Sequence, residues 1–217
     1  MRDSAGSLAQ IGGAIIERFE TTNAARDRAL NEGRQITRLS ANTIRAIHRA
    51  EFDNAQQSLA EARTLLQGLI EHLSEHPNLY WQGYVQDATK EFAEACITMA
   101  MVRGESLPSP SDLGVEDAPY LNGLAEAASE LRREILDNLR AGNSSRASSL
   151  LDVMDDVYDL LVSIDFPDGI TGGLRRTTDQ LRAVLERTRN DLTLTLTQER
   201  LQAALRDAER TFLGINE

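Results

Sequence analysis

Apolar residues return every three or four positions along almost the whole chain, a period that leaves little room for anything but helices. Ile11, Ile15 and Phe19, then Ile36, Leu39, Ile44 and Ile47, form one such stripe over residues 8–50, with Gly33 as its candidate break. Asp53 is placed to cap a second helix through Leu59, Leu65, Leu66, Leu69 and Ile70, which Pro77 stops. A third helix is expected from Tyr80 to Arg103, and the turn-rich GESLPSPSDLG of residues 104–114 separates it from a fourth. The fourth follows Pro119 and carries Leu121, Leu124, Leu131, Ile135 and Leu139 as far as Gly142. Asn143 or Ser144 caps a fifth, with Leu150, Leu151, Met154, Val157, Leu160 and Leu161 on its apolar face. FPDG at 166–169 reads as a turn, and the remainder to Phe212 as helix. One patch departs from the period: LTLTLT at 192–197 alternates as a strand would, but its helical flanks favour a helix junction. With no hairpin signal and no internal repeat, the expectation is an all-α, single-domain bundle over residues 1–217, with about seven helices, several of them long.

The 217 residues are 41% hydrophobic and 26% charged, the balance of a globular protein with a real core. No apolar run is long enough to span a membrane. The N-terminal MRDSAGSLAQIGGAIIERFE lacks the continuous apolar core of a signal peptide. The single cysteine, Cys96, excludes an internal disulfide and fits a reducing compartment, so a cytoplasmic location is expected. The formal charge is −11, and Lys90 is the one lysine among 23 basic side chains. A high-salt cytoplasm and GC-rich coding both account for that bias. Phosphate attracts positive charge, so any nucleic-acid binding by so acidic a chain has to rest on local arginine clusters.

Carboxylates offer the clearest chemistry. Glu91 and Glu94 lie in KEFAEACITMAM, a segment that otherwise reads as buried helix, and an ionised carboxylate in a dry interior needs a compensating partner. Their spacing of three makes them neighbours on one helix face, which Asp87 extends. The fourth helix offers Glu126 and Glu130, spaced by four among Ala125, Ala127, Ala128 and Leu131. Helices joined by a short loop pack antiparallel as neighbours, so these faces can meet and converge four carboxylates, the all-oxygen setting that Mg²⁺ or Mn²⁺ prefers. The competing reading is a solvated helix face with arginine partners. His72 and His76, at i and i+4, lack an HExxH pattern and sit where Pro77 ends the helix, so a solvated helix end is favoured over a zinc site.

Several segments resemble the translin family. PYLNGLAEAASELRREILDNLRAGN (119–143) is similar to that family's Tyr-Leu, Gly, acidic, Glu-Leu segment. EFAEA (91–95) resembles the Glu-aromatic-x-Glu-Ala motif of its nuclease branch, translin-associated factor X. GRQITRLSANTIRAIHR (33–49) resembles the family's first-helix signature, and VYDLLVSIDFPDGITGGLRRTTDQLR its C-terminal Tyr-Asp segment. Together they span most of residues 33–190. The resemblance implies a seven-helix fold assembling into a hollow octamer, and a Mg²⁺-dependent endoribonuclease acting on single-stranded RNA. By position, Glu91 and Glu94 fall on the family's two catalytic glutamates, Glu126 on its catalytic aspartate, and Glu130 on a fourth carboxylate of the metal site.

RNA contacts are expected from two sources. Arg34, Arg38, Arg45 and Arg49, at spacings of four, seven and four, form a basic stripe on one helix face. Where translin carries basic residues before the third helix, this chain has NLYWQGYVQ, so Tyr80, Trp81 and Tyr84 either stack on unpaired bases or pack in the core or at a subunit interface. Arg175, Arg176, Arg182, Arg187 and Arg189 alternate with acids and read as surface or interface. The leading expectation is therefore a homo-oligomeric endoribonuclease. The alternatives are a single-stranded RNA- or DNA-binding shell without catalysis, like translin proper, and a helical bundle whose glutamates pair with arginine.

Overall fold

The apolar period is realised as helix throughout. The structure, a computed structural model, describes residues 2–212, with side chains described from residue 6 on. Among those residues it forms α1 (Arg2–Ile47), α2 (Phe52–Leu73), α3 (Pro77–Tyr80), α4 (Gly83–Arg103), α5 (Pro110–Leu113), α6 (Asp117–Arg140), α7 (Ser144–Ser163), α8 (Asp168–Thr171) and α9 (Leu174–Phe212), and no strand. The all-α expectation holds. The count exceeds about seven because α3, α5 and α8 are four-residue turns. Pro77 and Pro110 start the first two of these, with Ser109 and Asp112 closing a capping box around α5. Proline stops one helix but is also preorganised for the first turn of the next, a double role that reading it only as a terminator misses.

Other boundaries shift for local reasons. Gly33 does not break α1, which runs on to Ile47. Asp53 is not the cap of α2: Glu51 holds that position without a side-chain hydrogen bond, and Asp53 lies in the first turn, where its charge meets the helix dipole. α4 begins at Gly83 rather than Tyr80, and α6 starts before Pro119, at Asp117. Asn143 caps α7, its side chain accepting from the Arg146 amide. LTLTLT lies within the continuous α9. Its threonine hydroxyls donate to carbonyls four residues back, Thr193 to Arg189 at 2.7 Å, Thr195 to Asp191 at 3.0 Å and Thr197 to Thr193 at 2.8 Å. Those local bonds let the alternating sequence sit in a helix.

Contacts divide the chain into two compact units, Met1–Cys96 with Ser109–Tyr120, and Ile97–Pro108 with Leu121–Glu217. Both crossings fall inside helices, after Cys96 in α4 and after Tyr120 in α6. In the first unit α1 packs along α2, burying Ala29, Ile36 and Ile47 of one with Ala62, Leu66 and Leu69 of the other. Arg63 of α2 lies 5.4 Å over the Phe92 ring and donates to the Asp112 carbonyl at 2.9 Å. In the second, α7 packs on α9 through Leu150, Met154 and Leu161 opposite Leu181 and Leu185. The buried Asn122 is satisfied at both ends of its amide, donating to the Thr171 carbonyl at 2.8 Å and accepting from Thr177 at 2.6 Å.

α1 contains 46 residues, about 69 Å of helix at ~1.5 Å per residue. Its apolar stripe is covered only in the C-terminal part: Ile36 is buried, whereas Leu8, Ile11, Ile16 and Phe19 are exposed. The far end of α9 exposes Leu194, Leu201, Leu205 and Phe212 in the same way. No helix among the described residues is long and apolar enough to cross a membrane.

Gly33 sits where α1 comes close to α4. A Cβ there would lie 3.4 Å from the Tyr84 carbonyl oxygen and 3.6 Å from the Ala88 methyl, which is ordinary contact with nothing to spare. Gly33→Ala is expected to stabilise the chain by up to about 1 kcal/mol through helix propensity, while Gly33→Leu destabilises it by about 1–3 kcal/mol through overpacking. Urea denaturation of both variants checks the sign change.

Candidate functional site

α4 is the helix that carries acids into the interior. From Phe92 to Met101 every residue is buried, so this helix has no solvent face over that stretch. Glu94 lies inside the run at 7% exposure and Glu91 sits half-buried at its edge. On α6, Glu126 is half-buried between the fully buried Ala125 and Ala127. One carboxylate oxygen from each of Glu91, Glu94 and Glu126 can be chosen so that all three lie within 4.8 Å of one another. The cluster expected from spacing therefore forms around three of its four acids. Glu130, half-buried on α6, is not among the three, and Asp87 is exposed.

Three like charges that close repel. Unit charges ~5 Å apart cost about 3–4 kcal/mol per pair at an effective dielectric of ~20. Lys90 supplies some compensation, its Nζ 3.2 Å from Glu91 Oε1. The donor set is all hard carboxylate oxygen, the kind that binds Mg²⁺, Mn²⁺ or Ca²⁺ rather than a soft metal. Oxygens sharing an ion at ~2.1 Å lie at most ~4.2 Å apart, so a small side-chain adjustment closes the observed cluster. These three glutamates can hold a metal ion.

The expected RNA-binding residues divide by exposure. Arg34, Arg38 and Arg45 are exposed along α1, with Arg45 hydrogen-bonded to Asn42. Arg49 lies just past the end of α1 and pairs with Glu51 at 3.0 Å. Trp81 is 61% exposed, its ring edge-on to Tyr80 with centroids 5.0 Å apart. Tyr80 is half-buried and donates to Glu116 at 3.1 Å; burial, then that hydrogen bond, push its hydroxyl up to about 12. The Tyr84 hydroxyl is buried without a hydrogen-bond partner, and burial raises its pKa against the opposing pull of Arg26. Of the three aromatics only Trp81 presents a large free ring.

Other candidates resolve as structure. Cys96 is buried, and burial pushes its thiol up to about 12 despite the nearby Arg63, which leaves it protonated and unreactive. His72 and His76 join no metal-binding group among the described residues. In the C-terminal basic cluster, Arg175 pairs with Asp165 at 3.3 Å, and Arg189 with Asp155 and with Glu186. The residue that motif spacing did not single out is Lys90; the signal for it was its isolation in composition.

Several solved structures share this fold. A complex of AfC3PO with duplex RNA matches with a TM-score of 0.80 and 33% identity, over 86% of this chain and 96% of that one. A crystal structure of AfC3PO matches with a TM-score of 0.79 and 32% identity, over 86% and 97%. Apo-NeC3PO, at 21% identity and a TM-score of 0.77 over 84% and 96%, supports the fold alone. An uncharacterized protein of Methanocaldococcus jannaschii is 28% identical over 206 residues, 94% of this chain and 89% of that protein. No family model matches the chain.

Mn²⁺ at ~100 times its Kd is expected to stabilise the fold by about 2.7 kcal/mol, seen as a rise in Tm by differential scanning calorimetry. Glu94→Gln should remove most of that rise. A rise retained in full would put the ion at some other place.

Proposed function

Because the chain belongs to the translin family, we propose that it is a metal-dependent endoribonuclease, hydrolysing RNA phosphodiester bonds at Glu91, Glu94 and Glu126 with Mg²⁺ or Mn²⁺ as cofactor. The observation that carries this reading is the convergence of those three carboxylates within 4.8 Å from two helices. A bound divalent ion there supplies Lewis-acid charge to a phosphodiester oxygen and acidifies water at neutral pH. The chain's own part is to hold and orient. α4 fixes Glu91 and Glu94 one turn apart, and Glu126 stands on α6 between the buried Ala125 and Ala127. Glu130, one turn beyond Glu126 on α6, is the fourth acid of the site.

RNA would be held by local features, since the net charge of −11 repels phosphate. The exposed arginines Arg34, Arg38, Arg45 and Arg49 meet the backbone, and the free Trp81 ring stacks on an unpaired base. Tyr80 supports that ring edge-on. The exposed apolar ends of α1 and α9 support a homo-oligomer, with the octamer as the expected form.

One relative is known in complex with duplex RNA. That observation favours a second reading for this chain, an RNA-binding shell without catalysis. Labelled single-stranded and duplex RNA incubated with the protein, in Mg²⁺ and in EDTA, separate the two. The nuclease reading expects cleavage of single strands that EDTA abolishes, and a loss of at least ~100-fold in Glu126→Gln with the helical circular dichroism retained. A mobility shift without cleavage supports the binding shell, and full cleavage by Glu126→Gln removes the proposed site.

Oligomeric state is tested separately. Phe19→Asp with Ile16→Asp is expected to shift the native mass towards smaller species, and an unchanged mass would place the contact elsewhere.

A further inference from the structure

The only lysine in the chain stands beside the carboxylate cluster. Of 23 basic side chains just one is lysine, and it is Lys90. Its Nζ lies 3.2 Å from Glu91 Oε1, with both side chains mostly withdrawn from solvent, 21% and 27% exposed. Position 90 is also four residues before Glu94, so the same ammonium is carried on the face of α4 that presents the second clustered acid.

We propose that Lys90 is a positioning residue of the cluster: it holds Glu91 by one oxygen and leaves the other for a divalent ion. The proposal rests on the metal-site reading above. Residue type matters to it. An ammonium is a compact point charge that engages one carboxylate oxygen and leaves the other to face the cluster. A guanidinium forks onto both oxygens of a carboxylate and would withdraw Glu91 from metal binding. In a chain that otherwise uses arginine throughout, the exception falls where a bidentate partner would block a ligand.

Calorimetric titration of the full-length chain with Mn²⁺, on wild type, Lys90→Gln and Lys90→Arg, tests this, with single-turnover cleavage of labelled RNA as a second readout. Wild type is expected to take up one ion per chain. Lys90→Gln removes a repelling charge and should bind Mn²⁺ about tenfold more tightly, the factor a unit charge exerts on a divalent ion ~6 Å away under water-like screening. The same variant should cleave more slowly at saturating Mn²⁺, because Glu91 is no longer held. Lys90→Arg keeps the charge but captures Glu91, so it should bind Mn²⁺ more weakly than wild type. Tighter binding joined to slower cleavage is a split that an ordinary surface ion pair does not produce. Wild-type uptake of Mn²⁺ with unchanged affinity in Lys90→Gln overturns the role of Lys90 and leaves the metal site standing. A wild-type chain that takes up no Mn²⁺ overturns both.

Discussion

Negative charge brought together inside a helical protein is the constraint on which the rest of the account turns. Carboxylates this close are tolerated only where positive charge is at hand, and the structure shows how the chain arranges for that. α4 is buried on every side from Phe92 to Met101, so an acid in that stretch, Glu94, points into protein whichever face it occupies. Lys90 supplies one cation.

The same physics separates the site from its surroundings. Elsewhere in the chain acids and arginines pair at the surface, as Arg175 with Asp165 and Arg26 with Asp27, where solvent screens them and each pair contributes little. The first unit keeps its polar groups near the start of α4 anchored to one another: Gln86 donates to the Tyr80 carbonyl at 2.8 Å while the Tyr80 hydroxyl reaches Glu116. Trp81, between them in sequence, is left outward. Such a rigid rim with one free ring suits recognition of a flat group better than a mobile loop would.

Much of this was legible in the sequence, and the failures have identifiable causes. The helical period located every long helix, because burying one face of a helix writes that period directly into the sequence. It also marked Ile11 and Phe19 as apolar, but a period names the face and not what covers it, so their exposure was unreadable. The strand-like threonines of α9, expected at a helix junction, lie within one continuous helix, since their hydroxyls find carbonyl partners within the helix itself. At the site, the spacing of Glu91 and Glu94 was informative. Residue type does not tell a packed ring from a free one, so Tyr80 and Tyr84 stood between stacking and packing.

The most direct test of the central claim is the anomalous scattering from crystals of the full-length chain grown with Mn²⁺. The account predicts a manganese peak within bonding distance of oxygens from Glu91, Glu94 and Glu126. Crystals of a chain that binds manganese elsewhere, or that keeps those three side chains apart with no peak between them, would contradict it.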